Sequence, residues 1–225
     1  MPDVPVITID GPSGSGKGTI AALAAEALGW RVLDSGALYR LVGLAVAEGD
    51  TSFADEAAVA AVARGLDVVF QHGRVYLAGA DVTDAIRTEA AGNDASRVAA
   101  LPAVRAALLA WQRSYARPPG LVADGRDMGT VVFPRAALKV FLDASAEERA
   151  VRRHKQLKEK GIDASLSDLA AEIRERDQRD RNRAVAPLKA AEDALIIDST
   201  SIGVDEVLTR VLRAARAKIA GLGPG

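Results

Sequence analysis

The stretch VPVITIDGPSGSGKGT, residues 4–19, decides the fold. Its first part, Val4–Ile9, is short, rich in β-branched residues and free of charge, which predicts a buried strand. Its second part begins at Gly11 and fits the spacing GxxxxGK, and a helix is predicted from Lys17 to about Ala27. A strand, a glycine turn and a helix in this order predict a phosphate-binding loop. The glycines let backbone N–H groups turn towards a phosphate, and the helix N-terminus adds partial positive charge.

All residues of this loop are expected to bind the phosphates of a nucleotide. They are Gly11, Pro12, Ser13, Gly14, Ser15, Gly16, Lys17, Gly18 and Thr19. The lysine is expected to reach the β- and γ-phosphates. The flanking strand and helix favour this interpretation over a structural glycine turn. Because Gly18 follows the lysine, the hydroxyl that contacts Mg²⁺ in many such loops comes one position late, at Thr19, so we do not expect Thr19 to bind the metal directly.

The composition excludes several classes of function. The 225 residues carry 29 basic and 30 acidic side chains, and a net charge of −1 argues against a general nucleic-acid binder. Without cysteine there is no disulfide, thiolate metal site or cysteine nucleophile, and two histidines cannot form a multi-histidine metal site. No charge-free run approaches the length that spans a bilayer, and the start of the chain lacks a signal-peptide pattern. We therefore expect a cytoplasmic protein without nucleic-acid or membrane partners.

Beyond the loop, apolar strands alternate with helices, which predicts a parallel sheet flanked by helices. The predicted strands are 31–34, 121–124, 138–143 and 194–197, and the predicted helices are 37–48, 55–64, one starting at 102, 145–160, 167–182 and 204–220. Residues 66–84 differ, because two apolar runs flank His72-Gly73 as in an antiparallel hairpin. We therefore predict an α/β fold of the P-loop NTPase type with a small antiparallel insert at 65–97.

Arginines are concentrated on the two predicted helices between residues 149 and 183. Arg149, Arg152 and Arg153 have the spacing of one helix face, and so do Arg176, Asp180 and Arg183. Surface helices often carry such residues as solvated ion pairs, which is the simpler interpretation. Beside a phosphate loop another is favoured, because phosphoryl transfer between two nucleotides needs several cations to offset the developing charge. The two helices, joined at Gly161, are therefore predicted to form a closing lid.

Other charged residues follow the predicted parallel strands, where ligands bind in open α/β sheets. Four aspartates fall at these strand ends, namely Asp10, Asp34, Asp124 and Asp143. Some aspartates at strand ends only complete turns, which fits Asp143, whereas Asp124 is a candidate to orient a magnesium-bound water. The segment after the second strand brings Ser35 and Arg40, and the loop after 121–124 brings Arg126 and Asp127.

Four stretches carry a resemblance to a known family. They are ITIDGPSGSGKGT at 7–19, LDSGALYR at 33–40, ADGRDMGTVVFP at 123–134 and IRERDQRDRNRAVAPL at 173–188. Together they resemble the bacterial cytidylate kinases, the (d)CMP kinases among the nucleoside monophosphate kinases, and the similarity covers essentially the whole chain. The last three are more specific than the loop, which adenylate, thymidylate and shikimate kinases share.

The resemblance implies transfer of the γ-phosphoryl group of ATP to CMP or dCMP, with Mg²⁺ held by nucleotide phosphates and water rather than by direct protein ligands. The implied catalytic residues are Lys17, Asp124, Arg126 and Arg152, the last as an arginine of the lid. The implied acceptor site has Arg40, Arg126 and Arg183 on the phosphate, Ser96, Arg105 and Asp127 on cytosine, and Arg176 and Asp180 on the sugar, with Ser35 beside them. The implied domains are a core (1–64, 98–148 and 184–225), a nucleoside-monophosphate-binding insert (65–97) and a lid (149–183).

Three other functions are known among phosphate-loop proteins. A signalling GTPase is disfavoured, because no Asp is followed by Gly three positions later and no Lys follows Asn or Thr. A related kinase that phosphorylates UMP or another metabolite stays open. A binding module that holds nucleotide without turnover would not need the second arginine set at Arg40, Arg126 and Arg183. No unexplained apolar stripe is left over, so a monomer is expected.

Overall fold

The structure is a computed structural model that describes residues 4–71, 74–159 and 161–223. The chain divides into two compact units. The first unit contains the residues up to Asp34 together with those from Tyr115 onwards, and the second unit is Ser35–Ser114. The predicted insert at 65–97 thus lies inside a larger compact unit that also contains the helices before and after it.

Strands and helices are numbered separately in chain order. The strands are β1 (Val6–Asp10), β2 (Arg31–Asp34), β3 (Val68–Gln71), β4 (Arg74–Leu77), β5 (Ala80–Asp81), β6 (Leu121–Gly125), β7 (Leu138–Asp143) and β8 (Leu195–Asp198). The helices are α1 (Lys17–Leu28), α2 (Ser35–Glu48), α3 (Glu56–Arg64), α4 (Glu89–Val98), α5 (Pro102–Ser114), α6 (Ala146–Glu159), α7 (Leu166–Asn182) and α8 (Val204–Lys218).

The first unit is built on a five-stranded parallel sheet with the order β2-β6-β1-β7-β8. In the centre, Ile7 of β1 is in register with Val122 of β6 on one side and with Leu138 of β7 on the other. Every residue of β1 is buried, which explains why the residues before its terminal Asp10 carry no charge and are mostly β-branched. The predicted α/β fold with a parallel sheet is confirmed.

Helices α1 and α8 pack against this sheet in one apolar core. The core includes Ile7, Ile9, Ile20, Ala21, Ala24, Val122, Val140, Leu142, Ile197, Val207 and Val211. The small alanines of α1 let that helix lie close to the strands, which holds the start of α1 at the carboxyl end of β1. The core therefore positions the predicted phosphate loop, which connects these two elements.

The second unit contains a three-stranded antiparallel sheet with the order β3-β4-β5, surrounded by α2–α5. The predicted hairpin strands are confirmed, whereas the turn at His72-Gly73 lies outside the described residues. The prediction that the antiparallel insert continues to residue 97 is wrong. A short 3₁₀ turn at Ala85–Arg87 follows β5, and α4 then begins because the Thr88 side chain accepts a hydrogen bond from the Ala91 N–H.

Two further differences concern helices of the first unit. The loop predicted after β6 contains a π-helical turn, Met128–Val132. Ser145 and Glu148 have the spacing of a capping box, which forms only in part at the start of α6. Ser145 accepts from the Glu148 N–H at 3.1 Å, but the Glu148 carboxylate pairs with Arg152 instead of the helix start.

Helices α6 and α7, which form the predicted lid, pack against each other through a small apolar cluster. Its buried members are Ala150, Leu157, Leu169 and Ala170. The predicted helix bounds agree with the structure, except that α6 is described only to Glu159. Within the described ranges no helix is long and apolar enough to cross a membrane.

Gly120 provides a test of packing in the first unit. A Cβ atom at this position would lie 2.3 Å from ring carbons of Trp30, so Gly120→Ala forces the ring or the backbone to move. We expect the free energy of unfolding, measured by urea titration, to fall by about 1–3 kcal/mol. Gly65→Ala is the control, because its Cβ would meet nothing closer than 3.5 Å, and its loss should stay within about 0.5 kcal/mol. Equal losses in the two variants would contradict this packing.

Candidate functional site

The predicted phosphate loop leaves β1 through a close backbone contact. A Cβ on Gly11 would lie 2.0 Å from the carbonyl oxygen of Leu142 in β7, so only glycine fits there. Gly14 and Gly16 adopt φ values of 77° and 88°, in the left-handed region that other residues rarely occupy. Gly11 therefore permits a close backbone contact, and Gly14 and Gly16 permit two turns of the backbone.

Lys17 is the first residue of α1, and its side chain is buried. Its ammonium group donates a hydrogen bond to the carbonyl of Pro12 at 3.0 Å, across the loop. Burial, aided by the positive charges of Arg126 and Arg176, lowers the pKa of Lys17 to about 7, and Asp124 and Asp34 oppose this shift. A nearby anion would raise this pKa again, so the ammonium is placed to respond to a phosphate.

Asp124, near the end of β6, is buried beside the loop. A Cβ on Gly18 would lie 3.0 Å from its Oδ2 atom, so the missing side chain at position 18 leaves room for this carboxylate. Thr19 is exposed. Over residues 4–71, 74–159 and 161–223, no group of three or more Asp, Glu, His or Cys side chains could hold a metal ion.

A second charged cluster forms where the turn after β6 meets α7. Arg126 Nε lies 3.2 Å from Asp180 Oδ2, and Arg183 Nη2 lies 3.9 Å from Asp127 Oδ1. Asp127 and Asp180 are both buried. The structure thus brings together four predicted residues of the first unit that belong to two separate motifs, at 123–134 and 173–188. Arg183 itself follows the last residue of α7, where its Nε donates to the carbonyl of Ala186.

Asp10, the last residue of β1, holds the turn that follows Arg126 and Asp127. It was not among the predicted site residues. Its two carboxylate oxygens accept from the backbone N–H groups of Met128 and Gly129, each at 2.8 Å. Burial raises the pKa of Asp10 to about 7 in spite of these two hydrogen bonds. The end of the central strand thereby fixes the turn that follows Arg126 and Asp127. The only sequence signal was an aspartate at a strand end.

Arg152 of α6, the predicted lid arginine, lies against the phosphate loop. Its guanidinium donates to the carbonyl of Ser199 at 2.6 Å, to the Ser199 hydroxyl at 3.2 Å and, at 3.5 Å, to the carbonyl of Ser15. The Ser199 hydroxyl lies 3.3 Å from the same Ser15 carbonyl. Nothing in the sequence around Ser199 indicated this contact.

Arg149 of α6 also contacts the loop, and Asp177 of α7 pairs with it. Arg149 Nη1 donates to the carbonyl of Ser13 at 3.0 Å and to Asp177 Oδ1 at 3.1 Å. The helical spacing of arginines singled out this residue without assigning it a role.

Asp143 accepts a hydrogen bond from the next backbone N–H, that of Ala144, as expected of a residue that completes a turn.

The remaining predicted residues lie in the second unit. Ser35, Ser96 and Arg105 are buried on α2, α4 and α5. Arg40 of α2 donates to the carbonyls of Ile86 and Thr88 at 2.7 and 3.2 Å. Arg105 donates to the carbonyl of Ala99 at 3.2 Å, and its guanidinium lies 5.7 Å from the centre of the Tyr39 ring.

Comparison with known proteins gives a consistent result. The family model described as cytidylate kinase matches residues 7–217. The cytidylate kinase of Aeromonas salmonicida is 59% identical over 224 residues, which cover 97% of both chains. That of Stutzerimonas stutzeri is 60% identical over 215 residues, or 93% of this chain and 94% of the relative. That of Methylococcus capsulatus is 59% identical over 208 residues, or 91% and 94%.

Among solved structures, a crystal structure from Thermus thermophilus covers 97% of this chain and 100% of its own, with 22% identity and a TM-score of 0.49. That likeness is too weak to carry an argument. The family model and the three relatives each match nearly the whole chain. The relatives are also 59–60% identical to it. The chain therefore belongs to the cytidylate kinase family.

Proposed function

We propose that this protein transfers the γ-phosphoryl group of ATP to CMP and dCMP, giving CDP and dCDP for pyrimidine nucleotide metabolism. One observation carries the proposal. The first unit holds a buried lysine in a phosphate loop and, beside it, a second cluster of buried charges around Arg126. A protein that only binds one nucleotide needs the first group, whereas a kinase that joins two nucleotides needs both. Membership of the cytidylate kinase family supports the same reaction.

In this proposal the loop Gly11–Thr19 binds the ATP phosphates and Lys17 offsets charge on the transferred group. Arg126 and Arg183 bind the acceptor phosphate, Arg152 acts from α6, and the cytosine and sugar are read by Asp127, Arg176 and Asp180. For Ser35, Arg40, Ser96 and Arg105 in the second unit the proposal rests on the resemblance. Residues 65–97 are proposed as part of the acceptor-binding region and 149–183 as the lid.

No general base is required for this chemistry. The acceptor is a phosphate oxygen that is largely ionised at neutral pH, so its proton need not be removed. Positioning the two nucleotides and neutralising charge then account for most of the rate enhancement. This agrees with a cluster made of arginines, one lysine and carboxylates.

Mg²⁺ is proposed to arrive with ATP. The buried carboxylate of Asp124 beside Gly18 suits a contact through a metal-bound water, and a single carboxylate is typical where substrate phosphates supply the other ligands. When bound, Mg²⁺ would neutralise charge on the phosphates. A monomer in the cytoplasm is part of the same proposal.

The first test is an assay of ADP formation with CMP, dCMP, UMP and AMP as acceptors. We expect turnover with CMP and dCMP, and Lys17→Met should lower kcat by about 10²–10³-fold, because it removes a charge at the transferred group. Arg210→Met, which removes an exposed arginine of α8 paired with Glu206, is the control and should keep most activity. Phosphorylation of UMP or AMP in preference to CMP would overturn the substrate assignment.

Asp127 is expected to select cytosine over uracil. Cytosine presents an amino donor where uracil presents an acceptor, so the buried carboxylate favours the first and repels the second. Asp127→Asn should lower kcat/KM for CMP by roughly 10–150-fold, the value of one charge-assisted hydrogen bond, and narrow the CMP-to-UMP ratio. Asp193→Asn is the control, since this aspartate pairs with Lys139 and is largely exposed. An unchanged ratio would make Asp127 a structural residue of its turn.

Lys17 should take up a proton when ATP binds. Its pKa of about 7 leaves the free side chain mostly neutral at pH 8, and bound phosphates favour the charged form. Titration calorimetry at pH 8 in buffers of different ionisation enthalpy should therefore show uptake of close to one proton, and ATP affinity should fall as pH rises above 7. In Lys17→Met this uptake should disappear. Equal uptake by both proteins would assign the proton to another group.

A further inference from the structure

Arg149 is buried more completely than its charge would lead one to expect. It is 2% exposed and is the largest of the fully buried side chains among the described residues. An arginine can be buried only if its donors are satisfied and its charge is balanced. Its Nε donates to the carbonyl of Ala144 at 2.9 Å, and both Nη atoms donate to the Asp177 carboxylate. The same Nη1 atom also donates to the carbonyl of Ser13 at 3.0 Å.

The contact with Ser13 fixes the direction of one peptide group in the phosphate loop. In a planar trans amide, the carbonyl of Ser13 and the N–H of Gly14 point in opposite directions. With the carbonyl held by Arg149, the Gly14 N–H is turned away from Arg149. Gly14 packs directly on this side chain, because a Cβ at position 14 would lie 3.4 Å from the Cβ of Arg149.

Neighbouring carbonyls of the loop are held by other donors in the same way. The Pro12 carbonyl accepts from Lys17, and the Ser15 carbonyl accepts from Ser199 and Arg152. A loop binds a phosphate through N–H groups, so each carbonyl must be directed elsewhere. Arg149 performs this task for the peptide between Ser13 and Gly14.

We propose that Arg149 is a positioning residue that sets the orientation of the Ser13–Gly14 peptide for ATP, and that Asp177 acts with it by holding its guanidinium. This inference rests on the proposed function. The bidentate carboxylate pair fixes the plane of the guanidinium, which lysine could not reproduce.

Asp177 also connects the phosphate loop to helix α7. It lies on α7 between Arg176 and Asp180, which are proposed to contact the acceptor nucleotide. The donor loop is therefore connected to the helix of the acceptor cluster through one buried pair. The Arg174–Glu147 pair, which also joins α7 to α6, has side chains that are 56% and 65% exposed and does not reach the loop.

The test compares Arg149→Lys and Asp177→Asn with Arg174→Lys as the matched control. Arg149→Lys keeps the positive charge but loses the planar guanidinium, and Asp177→Asn changes the carboxylate that holds this guanidinium. We expect both to raise the Kd for ATP, measured by calorimetry, and to lower kcat by about 10–100-fold, less than the ~10²–10³-fold for removal of an oriented donor because the N–H is misdirected rather than lost. Arg174→Lys should leave both within about twofold.

Amide hydrogen exchange distinguishes positioning from general stability. With ATP bound, exchange at Gly14 should be faster in Arg149→Lys and Asp177→Asn than in the wild type at temperatures well below the melting transition, and the effects in the double variant should not be additive. If both variants melt at lower temperature but bind ATP and turn over normally, the proposal is overturned. If the wild type binds ATP without phosphorylating CMP, the proposed function fails, while the effect of Arg149→Lys on ATP binding still decides the role of Arg149.

Discussion

The burial of charge at the carboxyl edge of the parallel sheet is the constraint on which the rest of the structure depends. Asp10, Lys17 and Arg149 are all withdrawn from water there, and an isolated buried charge is costly. Each is satisfied by the backbone of a functional loop. Asp10 accepts from the turn after β6, Lys17 donates to Pro12, and Arg149 donates to Ser13. These buried groups thus form hydrogen bonds with the two loops that the proposed function needs in fixed positions.

Much of this arrangement could be predicted from the sequence. The charge-free, β-branched run Val4–Ile9 before GxxxxGK predicts where the loop lies, because a strand buried on both faces consists mainly of apolar residues. The cluster of Arg126, Asp127, Asp180 and Arg183 followed from motif resemblance, and the structure brings these four together. These features could be predicted because each depends on a motif of a few consecutive residues.

The contacts that could not be predicted join residues far apart in the chain. Arg149 and Ser13 are separated by 136 positions, and Ser199 and Ser15 by 184. No periodicity indicates which arginine of a helix face turns inward, because that depends on how α6 packs against the loop. Helix α4 was missed for a different reason. Its start is set by the Thr88 cap, and its buried face consists mostly of small residues, which give a weak sequence signal. The hairpin pattern before it also suggested that the strands continue.

Gly18 and Asp124 restrict how such a loop can change during evolution. Loops that ligate Mg²⁺ directly carry a hydroxyl residue after the lysine, but here a side chain at that position would press on the Asp124 carboxylate. In this structure the Asp124 carboxylate occupies the space that a side chain at position 18 would enter. A single replacement at either position crowds the space or empties it. The effects of substitutions at positions 18 and 124 are therefore expected to be non-additive.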